Sequence, residues 1–210
     1  MMLAFGLVCG ILEARSSGRG QVVDSSMVEG SAALMAMFFG ARSAGLHRDE
    51  RGTNLLDTGA PFYEVYETAD GGWVAVGAIE PQFYAALLKG LELSDDPLFA
   101  EQRDRSRWAE QKKRLASVFA GRSRAAWTEV FEGTDACVSP VLDPVEAPSH
   151  PHHVARATFV DGQPAPAPRF SRTPAGPPGP AHHPGDGAEL DQWGVTDAEV
   201  AVLRESGAIW

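Results

Sequence analysis

Leu3, Leu7, Val8, Ile11 and Leu12 recur at helical spacing, and Arg15 followed by Gly18 supplies the basic last turn and glycine stop of such a helix. Ser16–Gly20 reads as a flexible turn and Gln21-Val22-Val23-Asp24 as a short strand. Asp24 or Ser25 is suited to cap a second helix, in which Met27, Ala32, Met35, Ala36 and Phe39 mix large and small apolar groups. Methionines in that setting are core or interface filler rather than ligands. The small residues Gly30, Ser31, Ala32 and Ala33 would let another helix approach closely. From Ala41 to Pro61 the pattern gives way to polar, glycine-containing sequence. Such a connection, about twenty residues long, exceeds what one compact domain needs and suggests a crossing between domains.

Strand-forming residues gather at Tyr63–Tyr66 and again at Trp73–Ala78, on either side of the turn Ala69-Asp70-Gly71-Gly72, which predicts a hairpin. Its second apolar run stops at a carboxylate, Glu80, and Pro81 follows, a residue suited to the first position of a helix. A buried strand would thus deliver one acid to its own C-terminal edge, where α/β proteins often place their chemistry. From its spacing alone, Glu80 reads first as a cap of the helix Pro81–Leu91, where negative charge is stabilising. Two further amphipathic helices are expected at Arg107–Phe119 and Ser123–Phe131, with Gly121 and Gly133 marking their ends. Asp135–Leu142 reads as one more strand or extended segment passing through Pro140, so Ala60–Glu146 forms a small α+β unit.

After Glu146 the composition changes. His150-Pro151-His152-His153 opens a proline- and glycine-rich run reaching Gly187. The histidines lack matching cysteines or carboxylates, so no metal site is expected. Phe159–Pro180 reads as an extended or polyproline-like strap. Ala188–Trp193 and Thr196–Glu205 close the chain as two short helices, the second capped by Thr196 with Asp197 and Glu199 in its first turn.

Composition narrows the picture only modestly. A chain of 210 residues with 44% hydrophobic and 22% charged residues can bury a real core in one or two domains. Its formal net charge of −10 argues against a nucleic-acid surface. Arg103, Arg105, Arg107, Lys112, Lys113, Arg114, Arg122 and Arg124 cluster locally and read as a solvated helix face. Cys9 and Cys137 show neither metal nor redox spacing and read as two free, buried thiols in a reducing cytoplasm. Met1–Leu12 lacks a basic n-region and a cleavage site, and is too short to span a bilayer, which needs about 20 residues. Opening on an uncapped apolar helix, the sequence reads as one entered in the middle of a domain. No phosphate-binding GKS/T loop, strand-linked GxGxxG turn, GxSxG elbow or HExxH helix occurs. What remains is one well-placed carboxylate.

Several blocks together resemble the α-methylacyl-CoA racemases, within the wider class III CoA-transferase family. They are Gly18-Arg19-Gly20-Gln21-Val22-Val23-Asp24 with Met27-Val28-Glu29-Gly30, Asn54-Leu55-Leu56-Asp57 with Gly59-Ala60-Pro61-Phe62-Tyr63, and Val74–Tyr84 containing Gly77-Ala78-Ile79-Glu80-Pro81. Thr134-Asp135-Ala136-Cys137-Val138 with Pro140-Val141-Leu142, and Pro166-Ala167-Pro168-Arg169, extend the likeness over essentially the whole chain. The resemblance implies an α/β class III CoA-transferase fold: a partial Rossmann-like large domain, a small α+β domain, and an interlocked homodimer. It would divide the chain into a remnant of the CoA-binding domain at 1–40, a linker at 41–59, the small domain at 60–149, a return linker at 150–187 and C-terminal helices at 188–210.

The implied reaction interconverts (R)- and (S)-2-methylacyl-CoA thioesters by removing the α-proton and returning it to the opposite face of an enolate. That needs acid/base groups on both faces and donors for the enolate oxygen. In the family these are a histidine paired with a glutamate on one side and an aspartate on the other. Glu80 matches that glutamate, whose task would be to orient the histidine and tune its pKa. None of the six histidines stands in the context of the family base, and Asp24 and Asp57 match positions not credited with proton transfer. The chain is therefore expected to correspond to the C-terminal portion of a racemase and to be catalytically incomplete alone, through a misassigned start, a split gene or a true loss. No cofactor is implied beyond the coenzyme A of the acyl-CoA substrate. Expected partners are a second copy or a full-length relative, with no nucleic acid and no membrane. The alternatives are a class III CoA-transferase, which moves CoA between carboxylic acids, and a non-catalytic dimerisation partner.

Overall fold

The N-terminal apolar spacing produces α1 (Met2–Ser17), which ends where Gly18 turns left-handed at φ 74° and donates its N–H to Ala14 O. The computed structural model describes residues 1–179 and 190–209 of the chain. They fall into two compact units, Met1–Val141 and Leu142–Trp210. No strand forms at Gln21–Asp24. Without a neighbouring strand to complete its hydrogen bonds, the segment lies against α1. Val23 fills the groove left by two glycines, since a Cβ on Gly6 would come within 2.8 Å of Val23 Cγ1. Ser26, not Asp24 or Ser25, caps α2 (Met27–Leu34), its hydroxyl accepting from Glu29 N. The apolar pattern that predicts one helix here yields two, because the backbone leaves helical geometry at Met35 before α3 (Ala36–Ser43). No residue of these three helices is buried, and Leu3, Leu7 and Phe39 face solvent.

The folded centre of the first unit is a three-stranded antiparallel sheet, β1 (Tyr63–Glu67), β2 (Trp73–Gly77) and, later in the chain, β3 (Val138–Pro140), in the order β1-β2-β3. Tyr66 pairs with Val74 across the hairpin, and Val76 pairs with Val138. Gly71, at φ 76°, makes the turn. Strand alternation sends Tyr66, Val74 and Val76 to one face, where α4 (Pro81–Gly90), α5 (Trp108–Phe119) and α6 (Arg124–Phe131) supply the other half of the core. Phe62, Leu87, Leu115, Phe119 and Trp127 are essentially inaccessible to water. Burying each such side chain stabilises the fold by about 1.5–3 kcal/mol before entropy is counted. Tyr66 stacks on Phe119 at 5.0 Å, and Trp127 meets Phe119 edge-on at 5.2 Å while donating Nε1–H to Phe119 O at 2.8 Å.

Both cysteines are exposed rather than buried. Cys9 sits on the uncovered α1, and Cys137 occupies a left-handed turn (φ 52°) leading into β3.

In the second unit, Pro151–Ala155 form α7. Phe159–Val160 (β4) and Gln163–Pro164 (β5) then pair as a minimal hairpin. The strap expected from Phe159 onward thus begins with a turn, because Asp161 and Gly162 both adopt positive φ (49° and 76°), the pattern of a two-residue hairpin loop. Leu190–Trp193 is a 3₁₀ turn. Asp197–Glu205 forms α8, whose Thr196 and Glu199 make a full capping box. The end of the expected strap and the start of the helix expected from Ala188 lie outside the described residues. Among the described residues, no helix is long and apolar enough to cross a membrane.

Candidate active site at the end of strand β2

Past Gly77 the chain leaves the sheet, and three backbone bonds fix its path. Gly77 N–H donates to Cys137 O at 2.9 Å, Ala78 N–H to Phe62 O at 2.9 Å, and Ile79 N–H to Gly77 O at 3.0 Å. Gln102 then clasps the exit: its Nε2 donates to Ala78 O (3.1 Å) and Ile79 O (3.0 Å). The Arg103 guanidinium adds a bond to Ile79 O at 3.2 Å and lies 5.8 Å from the centre of the Phe62 ring. Gln102 is itself anchored, because Trp108 Nε1–H donates to its carbonyl at 3.0 Å.

Glu80 stands immediately beyond this clasp. It is the N-cap residue of α4, extended at φ −75° and ψ 145°, with Pro81 as the first helical residue. Its carbonyl accepts from Tyr84 N at 2.9 Å, yet its side chain makes no capping hydrogen bond and is exposed. Capping by Ser, Thr, Asp or Asn uses a short side chain folded back on the helix; Glu80 keeps its carboxylate out of that role. The Cys137 thiol lies within its electrostatic reach: partial burial, and then the charges of Glu80 and Asp135, push that thiol above its ordinary range.

A second organised element precedes β1. Asp57 accepts from Asn54 N (2.7 Å), Asn54 Nδ2 (2.8 Å), Gly52 N (3.1 Å) and Gly59 N (3.3 Å). Burial pulls its carboxyl upward, but these donors outweigh burial and hold it below the ordinary carboxylate value. The buried Asn54 side chain also accepts from Arg48 N at 2.8 Å and donates to Arg48 O at 2.9 Å. Gly59 cannot be replaced without movement, since a Cβ there would lie 2.4 Å from Asn54 O. Lys112 bridges this loop to β1, donating to Thr58 O and, at 2.7 Å, to Glu64.

The basic cluster is not a uniformly solvated helix face. Arg103 and Arg105 precede α5 in a turn-rich segment and donate to the backbone carbonyls of Ile79 and Leu46, while Lys112, Arg114 and Arg122 pair with Glu64, Asp96 and Glu92. Neither Gln102 nor Arg103 was marked by sequence as a support for Glu80. Their contacts span more than twenty residues, and no local pattern encodes them. His150, His152 and His153 meet edge-on at 5.7–5.8 Å between ring centres. Among the described residues, no group of three or more His, Cys, Asp or Glu side chains is arranged to hold a metal ion.

Comparison with known proteins defines the class. Residues 1–188 match the CoA-transferase family III, and the chain belongs to that family. It is 49% identical over 212 residues to the alpha-methylacyl-CoA racemase of Mus musculus, an alignment covering 99% of this chain and 53% of that protein. With the alpha-methylacyl-CoA racemase of Homo sapiens it shares 45% identity over 182 residues, covering 84% of this chain and 47% of the other. A succinyl-CoA–D-citramalate CoA-transferase of Chloroflexus aurantiacus is 30% identical over 234 residues, covering 98% and 55%. The chain thus spans about half the length of the curated relatives it matches. Solved structures of a hypothetical protein from Mycobacterium tuberculosis superpose with a TM-score of 0.62 at 18% identity, covering 81% of this chain and 46% of that one. Together with the family match, that likeness bears out the α/β class III CoA-transferase fold.

Proposed function

We propose that this chain contributes the small-domain part of an α-methylacyl-CoA racemase site, in which Glu80 is a positioning residue for the family's proton-transferring histidine. The observation that carries this reading is the carboxylate of Glu80: presented at a strand end by a rigid clasp, exposed, and not spent on capping α4. Abstraction of the α-proton from a 2-methylacyl-CoA leaves an enolate, delocalised into the thioester carbonyl. Reprotonation from the opposite face inverts the centre, with no net change in atoms or electrons. A carboxylate hydrogen-bonded to the histidine base fixes the ring's tautomer and stabilises its protonated form. Glu80 is suited to that task. The histidine and the opposing aspartate are not among the matched residues of this sequence, so turnover requires groups supplied by further polypeptide. No cofactor is needed beyond the CoA of the substrate, because thioester conjugation already acidifies the α-carbon.

The racemase reading is preferred over CoA transfer because identity to the racemases is 49% and 45%, against 30% to the transferase. Co-expression of the chain with the remaining half of the mouse racemase, followed by chiral separation of an incubated (R)-2-methylacyl-CoA, tests it. Appearance of the (S)-thioester, and no transfer of CoA to added succinate, supports the racemase reading. CoA transfer without racemisation overturns it.

A further inference from the structure

We infer that the first unit carries a binding cleft for a carboxylate borne on an apolar body, with Arg103 and Arg105 as its anion-recognising pair. The inference does not depend on the racemase reading. The cleft, about 410 Å³, lies where α3, the Asn54–Asp57 loop and the segment entering α5 meet. Phe38, Leu46, Leu55, Leu56 and Trp108 give it an apolar lining, and Arg103 and Arg105 stand in its wall. A cavity of that size, mostly apolar with a few convergent polar groups, is the usual form of a small-molecule site.

The two arginines set the ligand's charge. Among the described residues neither lies within ion-pair distance of a carboxylate, whereas Arg107, Lys112, Arg114 and Arg122 each do. Both are oriented in advance. Arg103 is bound to Ile79 O and set against the Phe62 ring; Arg105 is bound to Leu46 O at 3.2 Å, its guanidinium carbon 5.4 Å from the centre of the Trp108 ring. A guanidinium has five donors, so one bond to a carbonyl leaves an edge able to engage a carboxylate in the fork geometry. One acid shares the wall, Asp57, but both its oxygens are taken up by the N–H groups of its own loop. It therefore opposes an anion weakly.

The same chemistry could arrive as a free carboxylic acid or as the distal carboxylate of a dicarboxylic acyl thioester, and calorimetry on the whole chain separates them. Octanoate and octan-1-ol have matching apolar bodies and differ in charge. Octanoate should bind at least tenfold more tightly than octan-1-ol. Added sodium chloride should weaken octanoate binding alone, because the pair is exposed and screened. Arg103→Gln and Arg105→Gln should each cost octanoate about tenfold, the scale of one charge-assisted hydrogen bond. Arg114→Gln, whose partner is Asp96, should leave binding unchanged. If octanoate fails to bind but the mono-CoA thioester of octanedioic acid binds more tightly than octanoyl-CoA, the carboxylate is the distal end of a thioester. Equal affinity for acid and alcohol, salt-insensitive octanoate binding, folded arginine variants with undiminished affinity, or no binding of any of these ligands would overturn the inference.

Discussion

Glu80 and Asp57 are both loop carboxylates in the same unit, and their partners separate their roles. Asp57 is surrounded by N–H donors from Gly52, Asn54 and Gly59 and serves the loop that leads into β1. Glu80 has no such donors in α4 and remains available to another molecule or segment. Because the folded-state pKa of Asp57 lies below its unfolded value, its contribution to stability is fully present above about pH 4. That contribution is lost as the pH falls through the lowered folded value. Thermal melts of the native chain and Asp57→Asn, compared from neutral pH into acid, should show the variant less stable at pH 7 and the two curves converging below about pH 4. Parallel curves would mean the carboxylate charge is not what the loop uses. Glu80 itself was legible from sequence through its position after an apolar run and before Pro81. The clasp was not, because Gln102 reaches back across more than twenty residues to two carbonyls.

Elements with strong local signals formed as their patterns predict. The hairpin follows from strand-forming residues at Tyr63–Tyr66 and Trp73–Ala78 around a glycine turn, and α4, α5 and α6 from apolar spacing with Pro81 and Ser123 at their starts. Those without a partner did not. Gln21–Asp24 has strand-forming valines, but a strand requires a neighbour, and Val23 finds a glycine groove on α1 instead. Asp161-Gly162 illustrates the converse, a two-residue turn signal sufficient to make a hairpin inside a proline-rich run. Among the helices, α6 depends most on one residue. Trp127 is 2% exposed, packs against Phe119 and Phe131 and bonds Phe119 O. Trp127→Ala should destabilise the chain by about 3–5 kcal/mol in urea unfolding, from lost burial and the cavity left behind. A loss under about 1 kcal/mol would show that the core around α6 collapses to fill the space.

At the scale of the whole molecule, the distribution of apolar surface is uneven. The sheet and α4–α6 enclose a well-filled core, while α1, α2 and α3 bury nothing and expose Leu3, Phe5, Leu7, Met27, Leu34 and Phe39. Large apolar side chains exposed along three successive helices mark a place where another chain or segment packs. Sedimentation velocity across a dilution series should therefore show association, weakened by the paired substitution Leu7→Glu and Phe39→Glu. A chain that stays monomeric throughout would contradict this expectation.

On the proposed function, Glu80 positions the histidine that moves the proton at the carbon next to a thioester. Incorporation of deuterium at that carbon reads the step directly. In deuterated water, a 2-methylacyl-CoA incubated with the 210-residue chain alone should remain unlabelled. When the chain is co-expressed with the remaining half of the mouse racemase, label should appear. With Glu80→Gln in the same assembly the rate should fall roughly 10²–10⁴-fold, the loss expected when a base is deprived of its orienting carboxylate. Undiminished exchange in the Glu80→Gln assembly would rule out that role for Glu80.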